Sequence, residues 1–295
     1  MNSRPATTED FEAIVELIRA DEERLLGRPS QLGVSDLREW MSRTNLAEDS
    51  WLFEEAGELC AVGWFDQLPG DDVSFAAGIV HPSWKGRGLG AQLVEKAEAR
   101  VRHYGSRRLH QFGVGVDEAA ARLFVANGYR EARRFYEMAI ELEEAPEAPD
   151  LGIEALDPAD VRQFHSALDE AFRDHWEHHG TPFDEWWERH RSNPNLDLSL
   201  WFVIREQGEM AAVSRNEANR NGGGYVAAIG VRRPWRGKGY AKALLLHTFR
   251  EFYDRGIKRV TLGVDAENPT GATHLYERVG MHVEQENAVF EKSFA

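Results

Sequence analysis

Val231-Arg-Arg-Pro-Trp-Arg-Gly-Lys-Gly-Tyr-Ala241 is written twice in this chain, the first time as Val80-His-Pro-Ser-Trp-Lys-Gly-Arg-Gly-Leu-Gly90. Gly88 and Gly239 stand 151 residues apart, as do Trp84 and Trp235. Each copy follows a short apolar run and precedes a long helical pattern. The repeat predicts two related domains, and the turn predicts what they hold. Glycines at Gly86, Gly88 and Gly90, or at Gly237 and Gly239, let backbone N–H groups converge on one point. The helix that begins there, at Tyr240 and Ala241 in the second copy, adds its positive dipole end. Such a turn is a site for a pyrophosphate, with Arg236 and Lys238, or Lys85 and Arg87, facing the phosphates. A Gly-rich turn can also serve packing alone. Recurrence at fixed spacing, with a second recurring element downstream, favours the anion site.

The rest of the chain repeats around these copies. In the first half, Asp10 to Ala20 has helical spacing, with Thr7 or Thr8 as cap. Trp51–Phe53 and Leu59–Phe65 read as a hairpin around Glu55-Ala-Gly57. A strand (Val73–Val80), a helix (Leu89–His103), a strand (Leu109–Val116), a helix (Ala119–Asn127) and a last strand (Phe135–Leu142) follow. The second half repeats the order: a helix over Asp157–Phe172, a hairpin around Gln207-Gly208 and a strand over Tyr225–Val231. A helix (Ala241–Tyr253), a strand (Val260–Val264), a helix (Thr270–Val279) and a final strand (His282–Phe294) complete it. Glu143-Glu-Ala-Pro-Glu-Ala-Pro-Asp150 is acidic and free of large apolar residues, as a linker would be. The expected domains are therefore 1–143 and 152–295, joined by 144–151. Each is an α+β (α/β layered) domain with a mixed, mostly antiparallel central sheet flanked by helices.

The 295 residues suit two domains, each with its own core. One cysteine, Cys60, excludes an internal disulfide, and no apolar run approaches the length of a membrane span. The start of the chain lacks the pattern of a secretion signal, so a cytoplasmic protein is expected. A formal net charge of −15 argues against nonspecific nucleic acid and anionic membrane as partners.

Order, turn and downstream element together resemble the GNAT superfamily of acetyl-CoA-dependent N-acetyltransferases, over both halves. The family's loop is Arg or Gln, two residues, Gly, one residue, then Gly or Ala. Arg236-Gly-Lys-Gly-Tyr-Ala241 matches it, and Lys85-Gly-Arg-Gly-Leu-Gly90 matches with lysine first. The family's second phrase is an Asn after the fifth strand, then a helix with Ala, Leu-Tyr and a Gly-ended terminus. Asn268-Pro-Thr-Gly-Ala272-Thr-His-Leu-Tyr276-Glu-Arg-Val-Gly280 fits. In the first half the phrase reads Val116-Asp-Glu-Ala-Ala120-Ala-Arg-Leu-Phe124-Val-Ala-Asn-Gly128, so Val116 meets Asn268 and Phe124 meets Tyr276. Tandem proteins with an active second half, typified by mycothiol synthase, are similar in plan.

The resemblance implies direct attack of an amine on the thioester of acetyl-CoA (coenzyme A) and requires no metal. It implies that Tyr276 protonates the leaving sulfur, a task Phe124 cannot do. Backbone of the fourth strand at Ile229 and Val231 (Val80 in the first half) would hold the carbonyl and the coenzyme arm, with Asn268 and Ala272 beside them. The general base is the gap in the match. Many relatives carry a Glu on the fourth strand, and here that position is Tyr225. Glu217 is the nearest carboxylate by sequence, with Asp265 and Glu267 as further candidates. Phe172, His175, Trp176, Trp186 and Tyr225 are read as the acceptor wall, against the alternative of an aromatic core. His175 and His179 have metal-ligand spacing, but no third ligand is marked. The expected acceptor is a small-molecule amine, and the expected state a monomer with an internal pseudo-dimer of domains. A non-catalytic acyl-CoA sensor and a protein lysine or N-terminal acetyltransferase are the competing readings.

Overall fold

The computed structural model describes residues 2–67, 72–178, 180–193, 195–268 and 270–294. Its elements run β1 (Asn2–Arg4), α1 (Phe11–Leu26), α2 (Val34–Trp40), α3 (Leu46–Asp49), β2 (Ser50–Glu55), β3 (Glu58–Gln67), β4 (Val73–Val80), α4 (Leu89–Tyr104), β5 (Arg108–Val114), α5 (Glu118–Ala126) and β6 (Arg130–Glu141). They continue as β7 (Ile153–Ala155), α6 (Val161–Phe172), α7 (Phe183–Arg191), β8 (Phe202–Glu206), β9 (Glu209–Arg220), β10 (Gly223–Val231), α8 (Tyr240–Asp254), β11 (Arg259–Asp265), α9 (Ala272–Arg278) and β12 (His282–Ser293). The repeat expected from sequence is present element by element. Three hairpins close on two-residue turns with both residues left-handed, Ala56-Gly57 (φ 55° and 86°), Gln207-Gly208 (φ 52° and 84°) and Asn221-Gly222 (φ 49° and 73°). Such turns match the twist of the strands they join.

Contacts divide the chain into two units at places the sequence did not mark. One unit holds Met1–Tyr136, Asp265–Glu267 and Gln285–Ala295; the other holds Glu137–Val264 and Asn268–Glu284. The sequence reading gave the strand before the linker to the first domain and the chain's last strand to the second. Instead, the last strand completes the first unit: β12 runs antiparallel to β5, from Asn287 opposite Val114 to Ser293 opposite Arg108. The end of β6 lies beside β11 in the second unit, where the Leu142 N–H donates to the Lys258 carbonyl at 2.7 Å.

In the first unit the strands lie in the order β1-β2-β3-β4-β5-β12. Side chains alternate across this sheet. Leu52, Val62 and Trp64 face Phe11, Ile14, Val15 and Ile18 of α1. On the other face Trp51, Phe53, Ala61 and Leu109 meet Leu89, Leu93, Val94 and Ala97 of α4, together with Ala288 and Phe290 of β12. Burying each of these large side chains contributes about 1.5–3 kcal/mol.

The exchanged strand is also held by charge. The Glu291 carboxylate lies 3.0 Å from His110 Nε2 and accepts from Arg108 at 3.1 Å and Arg130 at 2.5 Å. Against the cost of burial, these three partners hold its pKa down at about 2.

In the second unit the order is β6-β11-β10-β9-β8-β7. Fully buried Phe249 and Phe252 of α8 cover one face of the sheet. On the other face Trp201 packs against Phe164 of α6 (ring centroids 5.1 Å) and Trp186 of α7 (5.8 Å). In each unit a parallel pairing of central strands, β4 with β5 and β10 with β11, lies beside the Gly-rich turn.

Candidate active site

Both Gly-rich turns have the backbone a cradle needs. Gly86, Gly88, Gly237 and Gly239 have φ of 77°, 82°, 81° and 83°, in the left-handed region that glycine alone enters freely. A Cβ built on any of the four would meet nothing within 4 Å. The turns are open to a ligand, so their glycines serve access and not packing. Gly88 and Gly239 each cap the helix that follows, with its unpaired first N–H groups beside the opening. Gly90 is different: a Cβ there would lie 2.9 Å from Leu123 Cδ2, so this glycine lets α4 and α5 approach.

The cations of the two turns are otherwise engaged. Arg236 donates to the carbonyls of Val231 (3.1 Å) and Ala171 (3.2 Å) and to Asp174 (3.1 Å). It ties the turn to the end of α6 and does not extend over the glycines. Lys85 is bound to Asp21 and Asp117. Arg87 stacks on Trp84, 4.3 Å from the ring centroid. Lys238 lies 3.9 Å from Glu206, which also receives the Tyr240 hydroxyl. The sequence reading aimed these cations at phosphates; among them the exposed Lys238 and Arg87 remain able to turn there.

Beyond the turns, the parallel strands part. β10 and β11 are in register only at Gly224–Val260 and Tyr225–Thr261. From Ala227 onward, through Ile229 and Val231, the β10 edge that faced β11 is no longer laddered to it. On its other side β10 pairs with β9, with register shifts at Gly223/Tyr225 and Val226/Ala228. A bulge of this kind turns the strand and re-aims its backbone groups. In the first unit β4 and β5 part after Ala76–Gln111, and β4 pairs with β3 without a shift up to Val80.

Tyr276 stands on the short helix that follows the β11 loop. It is 7% exposed, and burial, followed by the nearness of Tyr225, pushes its pKa up to about 12. It therefore keeps its proton at neutral pH. Phe124 is its structural counterpart: both carbonyls accept a bond from the residue five places on, Tyr129 and Met281, at 3.0 Å. Gly128 and Gly280 end the two helices in the same left-handed turn. Phe124 packs on Phe290, with ring centroids 5.0 Å apart.

Tyr225 reaches across the gap between the strands. A Cβ on Gly263 of β11 would lie 3.4 Å from its hydroxyl. Directly opposite Tyr225 on the neighbouring strand is Glu217. A carboxylate thus lies one strand over from Tyr225, on the same face of the sheet. Glu217 receives bonds from Arg215 (2.5 Å) and Arg220 (3.1 Å), and the Arg220 guanidinium lies 4.1 Å above the Tyr225 ring. Near them is His190, whose Nδ1 donates to the Trp186 carbonyl at 2.7 Å. Burial first, and then the charge of Arg215, lower its pKa to about 4. His190 is therefore neutral, with its Nε2 lone pair free of a proton. The sequence reading did not mark Arg215 or Arg220, and it noted His190 only among the histidines of the helical region, because bulges and a helix bring the three together and no local pattern joins them.

The remaining candidates sort as follows. Asn268 accepts from the N–H (2.8 Å) and hydroxyl (2.6 Å) of Thr270, and half-buried Ala272 opens α9. Asp117 makes the same bond two residues on, to the Ala119 N–H at 3.1 Å. The structure therefore matches Asn268 with Asp117, not with Val116, because the α9 loop is one residue longer. Asp265 and Glu267 belong with the first unit, where Arg133 clasps them at 2.7 and 2.8 Å. Trp186 is 8% exposed and packed on Trp201 and His190, so it is core where the sequence reading set it on the acceptor wall. Phe172 faces β10, 3.3 Å from a Cβ on Gly230, with the tilted His175 ring 4.2 Å from its own and half-buried Trp176 next in sequence. His179 lies outside the described residues. A separate cavity of about 330 Å³ in the first unit includes Val114, Arg122, Arg134 and Glu286 in its lining and none of the predicted site residues.

Comparison with known proteins identifies the family. The acetyltransferase (GNAT) family matches residues 11–129 and 161–281, and the chain belongs to that family as a tandem of two GNAT regions. It is an acyltransferase, an acetyltransferase of the GNAT type. A mycothiol acetyltransferase of Thermobifida fusca is 27% identical over 94% of this chain and 92% of its own. A GCN5-related N-acetyltransferase from Sphaerobacter thermophilus superposes with a TM-score of 0.84, 30% identity and coverage of 99% and 95%. A tandem GNAT protein from the clavulanic acid biosynthesis pathway shares the fold at TM-score 0.75 and 13% identity, covering 99% and 98%. Among the described residues no helix is long and apolar enough to cross a membrane.

Proposed function

We propose that the second unit carries the chemistry and moves the acetyl group to a primary amine of a small molecule by direct attack. The observation that carries this reading is the pair of hydroxyls where β10 and β11 part. Tyr276 and Tyr225 stand there, and the first unit has the hydrocarbon Phe124 in the place of Tyr276.

The open turn Gly237–Gly239 and the N-terminus of α8 fit the pyrophosphate of acetyl-CoA, since a Cβ on either glycine would fill the approach. The bound coenzyme supplies an activated thioester. Backbone N–H groups of β10 from Ala227 to Val231, freed from the β11 ladder, are the donors that orient a carbonyl oxygen. The protonated Tyr276 hydroxyl donates toward the departing sulfur. Glu217, opposite Tyr225, takes the proton from the incoming ammonium, and Arg215 and Arg220 fix the direction of its carboxylate. Phe172 and His175, against β10, form part of the wall that the acceptor meets.

The likeness to mycothiol acetyltransferases along nearly the whole chain favours their acceptor as the first to try. Against it stands Tyr225 in place of a fourth-strand carboxylate. Thiol release from acetyl-CoA, measured over amino sugars, the mycothiol acetyltransferase acceptor, polyamines, amino acids and lysine peptides, tests the reading. Saturable turnover with a small amine is expected. Turnover with peptides alone, or with no amine, overturns it.

A further inference from the structure

The first unit repeats the turn and the parting strands, yet an ionic bridge crosses its cleft. Lys85 lies between the end of β4 and Gly86. Its Nζ is 2.7 Å from Asp21 of α1 and 3.1 Å from Asp117. Asp117 is three residues beyond the end of β5 and caps α5. β4 and β5 are in register only from Val73–Arg108 to Ala76–Gln111. The Lys85–Asp117 bond therefore joins the carboxyl ends of the two strands beyond the point where they part. Arg24 closes a ring of four charges, 3.1 Å from Asp21 and 3.7 Å from Asp117. The side chains of Asp21 and Asp117 are only 10% and 11% exposed, and that of Lys85 26%. Although burial opposes it, the Ala120 N–H and Lys85 hold the Asp117 carboxyl below its usual range. Alternating charges so shielded attract each other more than exposed pairs do.

The second unit is built differently at the same two positions. Arg236, the counterpart of Lys85, is turned away onto Asp174 and the carbonyl of Ala171. Asn268, the counterpart of Asp117, is neutral and bonds Thr270 within its own loop. Among the described residues no ion pair joins Arg236 to that loop.

We propose that the Asp21–Lys85–Asp117 bridge holds the first unit's coenzyme cleft shut, so that the chain takes up one acetyl-CoA, in the second unit, and gains a second site when the bridge is broken. A coenzyme with its pyrophosphate on Gly86–Gly88 must pass its acyl arm between the carboxyl ends of β4 and β5, where the bridge lies. Drawing Lys85 aside would leave two nearly buried carboxylates facing an anionic ligand. The turn itself remains able to bind, since its glycines are open. This inference rests on the reading of the Gly-rich turns as coenzyme sites.

Calorimetric titration of the full chain with acetyl-CoA tests it, using Asp117→Asn and the double variant Asp21→Asn/Asp117→Asn, each alone and combined with Gly239→Val. Asparagine keeps a capping oxygen for α5 and removes the charge. One equivalent is expected for the parent chain, and none for Gly239→Val. Two are expected for either bridge variant, and one for a bridge variant combined with Gly239→Val. First-unit affinity should rise about tenfold or more, in proportion to the fraction of open clefts. Two equivalents in the parent overturn the bridge as a latch. So does a single unchanged equivalent in both bridge variants whose circular dichroism matches the parent. Undiminished binding in Gly239→Val has a different meaning: it removes the coenzyme from the second unit's turn and so overturns the proposed function itself.

Discussion

The first unit and the second share strand order, helix placement and the left-handed glycines of the turn, and they differ at three points along the path of one ligand. Where the second has Tyr276, the first has Phe124 packed on Phe290. Where the second turns Arg236 away, the first extends Lys85 across its cleft. Where β10 is bulged against its antiparallel neighbour, β4 keeps regular pairing. The lesson is that the cradle and the chemistry are separable. The cradle is made of backbone, and glycine and helix geometry preserve it. The chemistry depends on one hydroxyl, one open passage and the aim of a few N–H groups, each of which a single substitution or bulge can remove.

The comparison breaks most easily at the turns. Gly239→Val places a β-branched side chain in a left-handed position and in the open approach. Acetyl-CoA affinity and transfer should fall on the order of 10³-fold, because misplacement of the coenzyme is amplified in the rate. Gly88→Val in the first unit should leave turnover within about twofold. Equal losses in the two variants, measured by thiol release, would erase the distinction between the units.

Next is Tyr276→Phe, which copies the first unit's residue into the second. The chemical step should slow by roughly 10²-fold, while acetyl-CoA binds as before. If product release limits the rate, single-turnover measurement is needed to see it. A chemical step at full speed would give the proton donation to water. Phe124→Tyr should create no second active unit, because Lys85 and the regular β4 remain.

Glu217→Gln should slow transfer about tenfold at neutral pH. An unchanged rate would make Glu217 only an anchor for Arg215 and Arg220. His190, with its pKa lowered to about 4, should add no step to the pH dependence of the rate near its usual 6.5.

The smallest effect concerns stability. Glu291 has its pKa depressed from 4.5 to about 2 in the folded chain. Its contribution is therefore complete above the unfolded value of 4.5 and is lost as pH falls toward about 2. Glu291→Gln should lower the denaturation midpoint near neutrality and weaken its dependence on pH across that window. A midpoint that keeps the parent's full acid dependence would show that other carboxylates control it.

The sequence by itself determined the repeat, the element order, the two turns and the contrast between Tyr276 and Phe124. All of these are local: a periodicity, a glycine whose backbone only glycine tolerates, a residue at a fixed offset from a motif. Glu217 was legible only as the nearest carboxylate along the chain. Tertiary structure decided that it faces Tyr225, since two register shifts fix which residues of β9 and β10 meet. It also decided that Trp186 is core, that Asp265 and Glu267 are clasped by Arg133, and that Asp117 is the partner of Asn268. The exchange of β6 and β12 was hidden for the same reason. A strand's composition states that it will pair and which face it buries, but not which neighbour it takes. Here the neighbour is chosen by contacts far apart in sequence, such as Glu291 with His110, Arg108 and Arg130, which no stretch of the chain contains on its own.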